Sequence, residues 1–165
     1  EEQAALEEER LRKKLEEEED NCFEPTELGT RLLELFNEKI GSDVTIQTSD
    51  GETIDAHASI LGARSDYFYT ALMRTPNREF DFNAHSAATL KVLMCFVYSD
   101  ALVGDHWNVL DDPDATARLL DCGASLGVHG LHRYVEVSVA RRVLFVESHR
   151  RALRPFDARR RGSPF

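Results

Sequence analysis

Between Ser42 and Met73 the spacing of apolar side chains changes from every second residue to helical intervals, and that change limits the folds open to this chain. Val44 and Ile46 alternate with Thr45 and Gln47, as a half-buried strand requires. Asp50-Gly51 follows, a pair that tolerates the positive φ of a tight hairpin turn. Thr53, Ile54, Asp55 and Ala56 make a returning strand with Ile54 and Ala56 on one face. After His57 the period becomes helical: Ile60, Leu61, Tyr67, Phe68, Ala71 and Leu72 recur, with a break expected near Gly62 and a new cap at Ser65. A hairpin that feeds two short helices is the nucleus of the domain.

The flanks supply more helices. Thr26, preceded by Pro25, can cap a helix that Gly41 ends. Leu28, Leu32, Leu35 and Phe36 form one stripe on it, and Leu33, Phe36 and Ile40 a second line on a neighbouring side. Two apolar sides on one short helix exceed what a small domain usually covers. Either another polypeptide or the chain's own tails must cover the second line. After a turn at Pro76-Asn77, Phe80 and Phe82 alternate around Asp81 as a short third strand. Ser86 is a fitting cap for a helix to about Ser99, with Leu90, Leu93, Met94, Val97 and Tyr98 on a broad apolar face. Residues 100–108 read as a loop anchored by Trp107. Asp112-Pro113 reads as cap then first helical residue, and the helix behind it should bury Ala115, Leu119, Leu120 and Ala124. Gly127 and Gly130 flank a joint before a last helix carrying Leu131, Tyr134, Val135, Val139 and Val143.

The order of Ser42-Asp43-Val44, Gly51, Ala56-His57, Leu61, Ala63-Arg64-Ser65, Tyr67-Phe68 and Leu72-Met73 resembles the BTB (POZ) domain family. Thr89-Leu90, Leu93 and Phe96-Val97-Tyr98 extend the resemblance. So do Leu119-Leu120, Ala124, Leu126, Leu131 and Val135, giving coverage from about Thr26 to Val137. The resemblance implies an α+β fold, a small three-stranded sheet packed against a cluster of α-helices, spanning residues 26–140. It implies protein–protein association. In the family the first helix packs across a dimer interface, which here would involve Leu32, Leu33, Phe36, Ile40 and Asp43. The aspartate that matches Asp43 lies in many such dimers in a pocket near the two-fold axis, facing a basic residue just after the histidine. This chain has Ala58 there, so either Asp43 is exposed or His57 or Arg64 takes over as its partner. His57 itself reads as a hydrogen-bonded residue that stabilises the strand-to-helix turn. Some relatives recruit cullin-type ubiquitin-ligase scaffolds, and the matching surface would include Tyr67, Met73 and Glu79. The apolar-x-acid element of such adaptors is missing, because Met73-Arg74-Thr75 lacks the acid.

Charge is divided unevenly. Residues 1–20 hold ten acids and four bases, net −6, and residues 141–165 hold eight arginines and two acids, net +6. The middle is acidic at net −10, which makes it a poor surface for nucleic-acid phosphates. Residues 1–22 read as a solvated charged helix or linker rather than a coiled coil, with Glu8–Arg12 and Glu9–Lys13 pairs one turn apart. Residues 141–165 read as a helix end followed by a disordered basic tail, which could pair with the acidic start. That start lacks an apolar run, so no secretory signal is expected, and a charged beginning fits an excerpt from a longer protein. Three scattered cysteines, Cys22, Cys95 and Cys122, fit a reducing, cytoplasmic or nuclear setting, with the latter two as buried small hydrophobes.

Enzyme chemistry finds little footing. Neither a glycine-rich phosphate loop nor a nucleophile elbow occurs. His129 and His132 could share a metal, but no third ligand stands at a recognisable spacing. Asp111, Asp112 and Asp114 fit a helix cap better than a calcium loop. The reading is an adaptor module with no enzyme activity, cofactor or metal. A homo- or hetero-oligomerising module is expected, a homodimer first, with a cullin-type scaffold as a further candidate partner and neither nucleic acid nor membrane bound directly. The alternatives are an oligomerisation domain without a ligase role, or a small metal protein or enzyme.

Overall fold

The computed structural model describes residue 10 and residues 24–144. The rest of the acidic segment 1–22 with its ion pairs and Cys22, and the basic tail beyond residue 144, lie outside the described residues. Helix α1 spans Glu27–Asn37, capped by Thr26, whose Oγ1 accepts the Gly29 N–H at 3.0 Å. Strands β1 (Val44–Thr48) and β2 (Thr53–Ala56) form the hairpin, with Gly51 at φ 77° in its turn. Helices α2 (Ala58–Arg64) and α3 (Asp66–Arg74) lead to β3 (Glu79–Phe82), and α4 spans Ala87–Ser99. A 3-10 helix follows at Gly104–Asp111, then α5 (Pro113–Ser125); residues 131–144 form a further helix, α6.

The sheet order is β2-β1-β3. β2 runs antiparallel to β1, with Ile46 opposite Ile54, and β3 runs parallel to it, with Ile46 opposite Phe80. A parallel neighbour needs a crossover, and α2 with α3 supplies it. The period-two pattern holds: Val44, Ile46, Ile54, Ala56 and Phe80 are all buried on one layer. α4 is the central helix. Its buried residues include Cys95 and Phe96 beyond the expected face, so from Leu93 to Ser99 it is buried on every side, while Ala88 and Lys91 near its start stay exposed. α1 and α5 pack on it, and the 3-10 helix packs on α5. No single described helix is long and apolar enough to cross a membrane.

Several sequence expectations need correction. Gly62 lies inside α2; the break is at Ser65, whose extended backbone ends one helix while its Oγ accepts the Phe68 N–H to start the next. α1 stops at Asn37, before Gly41, because Lys39 already turns left-handed at φ 57°. Ile40 therefore lies in a turn and not on the helix. The supposed loop at 100–108 is largely the 3-10 helix. On α5, Leu119, Cys122 and Gly123 are buried, whereas Ala124 faces solvent. Val143, on α6, is exposed.

Candidate protein-interaction surface

Gly29 seats α1. A Cβ at this position would come within 2.9 Å of the Ser99 carbonyl oxygen, so the helix lies directly on the backbone at the end of α4. From that contact, Leu32, Leu33 and Phe36 turn partly into the core, and the Phe36 ring sits 4.8 Å from that of Tyr98. The apolar carbon left in water belongs to Leu28, 68% exposed, Leu35, 36% exposed, and Ile40, 52% exposed. A groove of about 330 Å³ opens beside α1, with Leu28, Leu32, Ile60, Ala63 and Val97 in its walls. The ion pair between Arg64 and Asp100 lies at its margin.

The turn after α1 is held by His57. Its Nε2–H donates to the Ile40 carbonyl at 2.7 Å, and its Nδ1 accepts the Tyr98 hydroxyl proton at 2.8 Å. The Tyr98 oxygen in turn accepts the His57 backbone N–H at 2.9 Å. This tautomer satisfies every polar atom of the network. Burial, above all, pushes the Tyr98 phenol up to about 12. The reading of His57 as a structural residue holds, and its reach to Ile40 adds a link between α1 and α2.

Asp43 is exposed, the first of the two expected alternatives. Its carboxylate is nevertheless engaged: Oδ1 accepts the Ala58 N–H at 2.8 Å, so it caps α2 from fifteen residues away. Neither His57 nor Arg64 takes over; Arg64 instead donates from Nε to the Val97 carbonyl. Asp50 works the same way at the other end of the hairpin. Its carboxylate accepts the Thr48 hydroxyl and, at 3.0 Å, the Ala87 N–H at the start of α4. Those bonds, the Thr48 one first, hold its carboxyl below the usual range.

A second groove, of about 520 Å³, runs between α2 and α3. Ala58, Gly62, Leu72 and Met73 supply apolar walls, and Asp43 and Arg78 supply opposite charges. Met73 is 72% exposed and Tyr69 57% exposed. Tyr67, half-exposed, lays its ring edge-on to Phe68, Phe80 and Phe82, joining α3 to β3. Glu79 is exposed at the start of β3, where the Asn77 side chain brackets its backbone. Tyr69 and Arg78 were not singled out in the sequence. Tyr69 is one polar-tipped aromatic among several, and Arg78 reaches the groove only because β3 returns beside β1.

Cys95 and Cys122 are free and buried, and burial raises both thiols, Cys122 to about 12. His129 pairs with Asp66 at 2.8 Å and His132 with Glu136 at 3.5 Å. No group of three metal-binding side chains occurs among the described residues. Asp112 caps α5 by accepting the Asp114 N–H at 2.9 Å.

Comparison with known proteins agrees with this architecture. The family model for the BTB/POZ domain matches residues 32–141. A BTB/POZ and MATH domain-containing protein 6 from Arabidopsis thaliana is 34% identical over 83 residues, 48% of this chain. That match covers 20% of the relative's length, so the chain corresponds to a fraction of that protein. Among solved structures, the BTB domain of zebrafish PATZ1 superposes with a TM-score of 0.54 at 17% identity, over 70% of this chain and 90% of the other. A three-stranded sheet with one parallel pair, a largely buried central helix, and a family match across most of the described residues place the chain in the BTB/POZ domain family, whose members are protein–protein interaction modules.

Proposed function

We propose that the chain is a homodimerising adaptor module whose self-association surface is centred on α1. The observation that carries this is the apolar carbon that a single chain leaves in water at Leu28, Leu35 and Ile40, next to half-buried Leu32, Leu33 and Phe36. Burying a leucine side chain fully is worth about 1.5–3 kcal/mol. A stable dimer of ordinary size removes about 1,600 Å² from water, which α1 alone cannot supply. The groove beside α1 and the adjoining face of α2 extend the surface. Asp43 is already engaged by the Ala58 N–H, so it needs no partner from a second copy to be satisfied. Light scattering at rising concentration tests the proposal. A dimer that Leu28→Asp with Leu35→Asp dissociates supports it; a strict monomer at high micromolar concentration rejects it.

A second reading, recruitment of a cullin-type scaffold, is favoured by the exposure of Met73 and Tyr67 on α3 and of Glu79 beside it. Titration calorimetry against a cullin N-terminal domain decides it. Measurable heat that Met73→Ala weakens supports recruitment, and no heat removes it. We propose an intracellular setting, a reading that the free, buried thiols of Cys95 and Cys122 support.

A further inference from the structure

We propose that Thr75 is the acceptor of a proline-directed protein kinase, and that Arg74 and Arg78 hold the resulting phosphate. Thr75 is the residue at which α3 ends. Its backbone is extended, φ −137° and ψ 149°, and Pro76 bars the helical region to any residue that precedes it. Residues 75–78 belong to no helix or strand and are all exposed. The Thr75 hydroxyl makes one bond, to the Ala71 carbonyl at 3.2 Å, and that bond faces water. From Thr75 onward the segment therefore has what a kinase cleft requires: an extended backbone, an exposed hydroxyl held by a single bond to Ala71, and a following residue with no N–H to satisfy.

The surroundings suit the product as well. Arg74 and Arg78 are exposed, and neither is ion-paired among the described residues, although Lys39, Arg64, Lys91 and Arg142 all are. Two unspent guanidinium groups one and three residues from a hydroxyl form a receptor for a tetrahedral dianion. A phosphate at a helix C-terminus is disfavoured by the helix dipole, and the arginines offset this. In the transfer, Thr75 Oγ1 attacks the γ-phosphorus of a nucleoside triphosphate. The bond from that phosphorus to the β,γ-bridging oxygen breaks, the diphosphate leaves, and the hydroxyl proton passes to the kinase's catalytic carboxylate. The product carries about −1.5 to −2 charges two residues from Met73 and three from Arg78, both of which line the α2–α3 groove. Any partner bound there through Arg78 would be released.

The sequence has two places where a hydroxyl residue precedes proline, Thr75-Pro76 and Ser163-Pro164. The test therefore uses the full chain carrying Ser163→Ala, with a proline-directed kinase, ATP and site mapping by mass spectrometry. One phosphate per chain, on Thr75, is expected, and Thr75→Val or Pro76→Ala in the same background abolishes it. A folded chain left unmodified while the free peptide of residues 70–82 is phosphorylated overturns the proposal, and so does a peptide that is no substrate. Phosphorus NMR reads the arginine contacts. The titration midpoint of the phosphothreonine should lie lower in the folded chain than in the peptide, and rise when Arg74→Ala and Arg78→Ala are combined. Equal midpoints overturn the arginine part.

Discussion

Ser138 sits on the inner side of α6, 1% exposed, and its hydroxyl has no hydrogen-bond partner among the described residues. A buried hydroxyl left unmatched costs about 1–3 kcal/mol. Ser138→Ala should therefore raise stability by about 1 kcal/mol in urea denaturation, with the fold unchanged. Tyr98 is the opposite case, a buried hydroxyl with both its bonds made to His57. The fold raises the Tyr98 phenol from 10.0 and the Cys122 thiol from 9.0, each to about 12. A raised folded value favours the neutral form, so its contribution is complete below the unfolded value and is lost as pH climbs toward the folded one. The thermal midpoint should hold steady to about pH 9 and then fall up to about pH 12; Tyr98→Phe should flatten the part above about pH 10 and lower stability at neutral pH, since His57 loses its partner. Of these residues the sequence marked His57 as a hydrogen-bonded turn residue but did not name Tyr98 or Ile40 as its partners. Both lie far from His57 in the chain, and only packing brings their oxygens to its ring.

The α2–α3 junction depends on a side chain with two roles. Ser65 caps α3 through the Phe68 N–H, and its own hydroxyl donates to the Leu126 carbonyl, tying the α2–α3 corner to the end of α5. Ser65→Ala removes both bonds within a site 3% exposed, and should cost about 1–3 kcal/mol in denaturant unfolding. Gly29→Ala should lift α1 from α4, because the new methyl meets Ser99 backbone that cannot move aside. Hydrogen exchange should then quicken along Glu27–Asn37 and little elsewhere. Gly123→Ala meets chiefly the end of the Leu131 side chain, which can swing away, so its effect should be the milder of the two. Caps and periods were readable wherever they are local: Thr26, Ser65, Ser86 and Asp112 all cap the helices they were expected to cap. What stayed hidden was capping at a distance. Asp43 and Asp50 looked like a pocket carboxylate and a turn residue, and both prove to cap helices from other elements.

For the molecule as a whole, α1 is the element most open to another chain, and the half-buried state of Leu33 and Phe36 narrows the free apolar surface there to Leu28 and Leu35, with Ile40 in the turn that follows. The paired change Leu28→Asp and Leu35→Asp should abolish any dimer while leaving the thermal midpoint of the isolated subunit within a few degrees, because surface substitutions usually change stability by under about 0.5 kcal/mol. The sequence exposed two apolar lines on α1, and the subunit divides both: Leu32, Leu33 and Phe36 turn inward while Leu28, Leu35 and Ile40 stay in water, a division set by Gly29 pressing one side onto Ser99. It likewise revealed three strands without their order, since Phe80 and Phe82 look the same beside either hairpin strand. That order bears on synthesis. With β3 lying alongside β1 and two helices between them in the chain, a nascent polypeptide released only as far as Arg78 holds a lone two-stranded ribbon, an arrangement of marginal persistence in water. Assembly must then wait for Phe80 and the central helix to leave the ribosome, so a translational pause before that point would leave Ile46 and Ile54 open to chaperones.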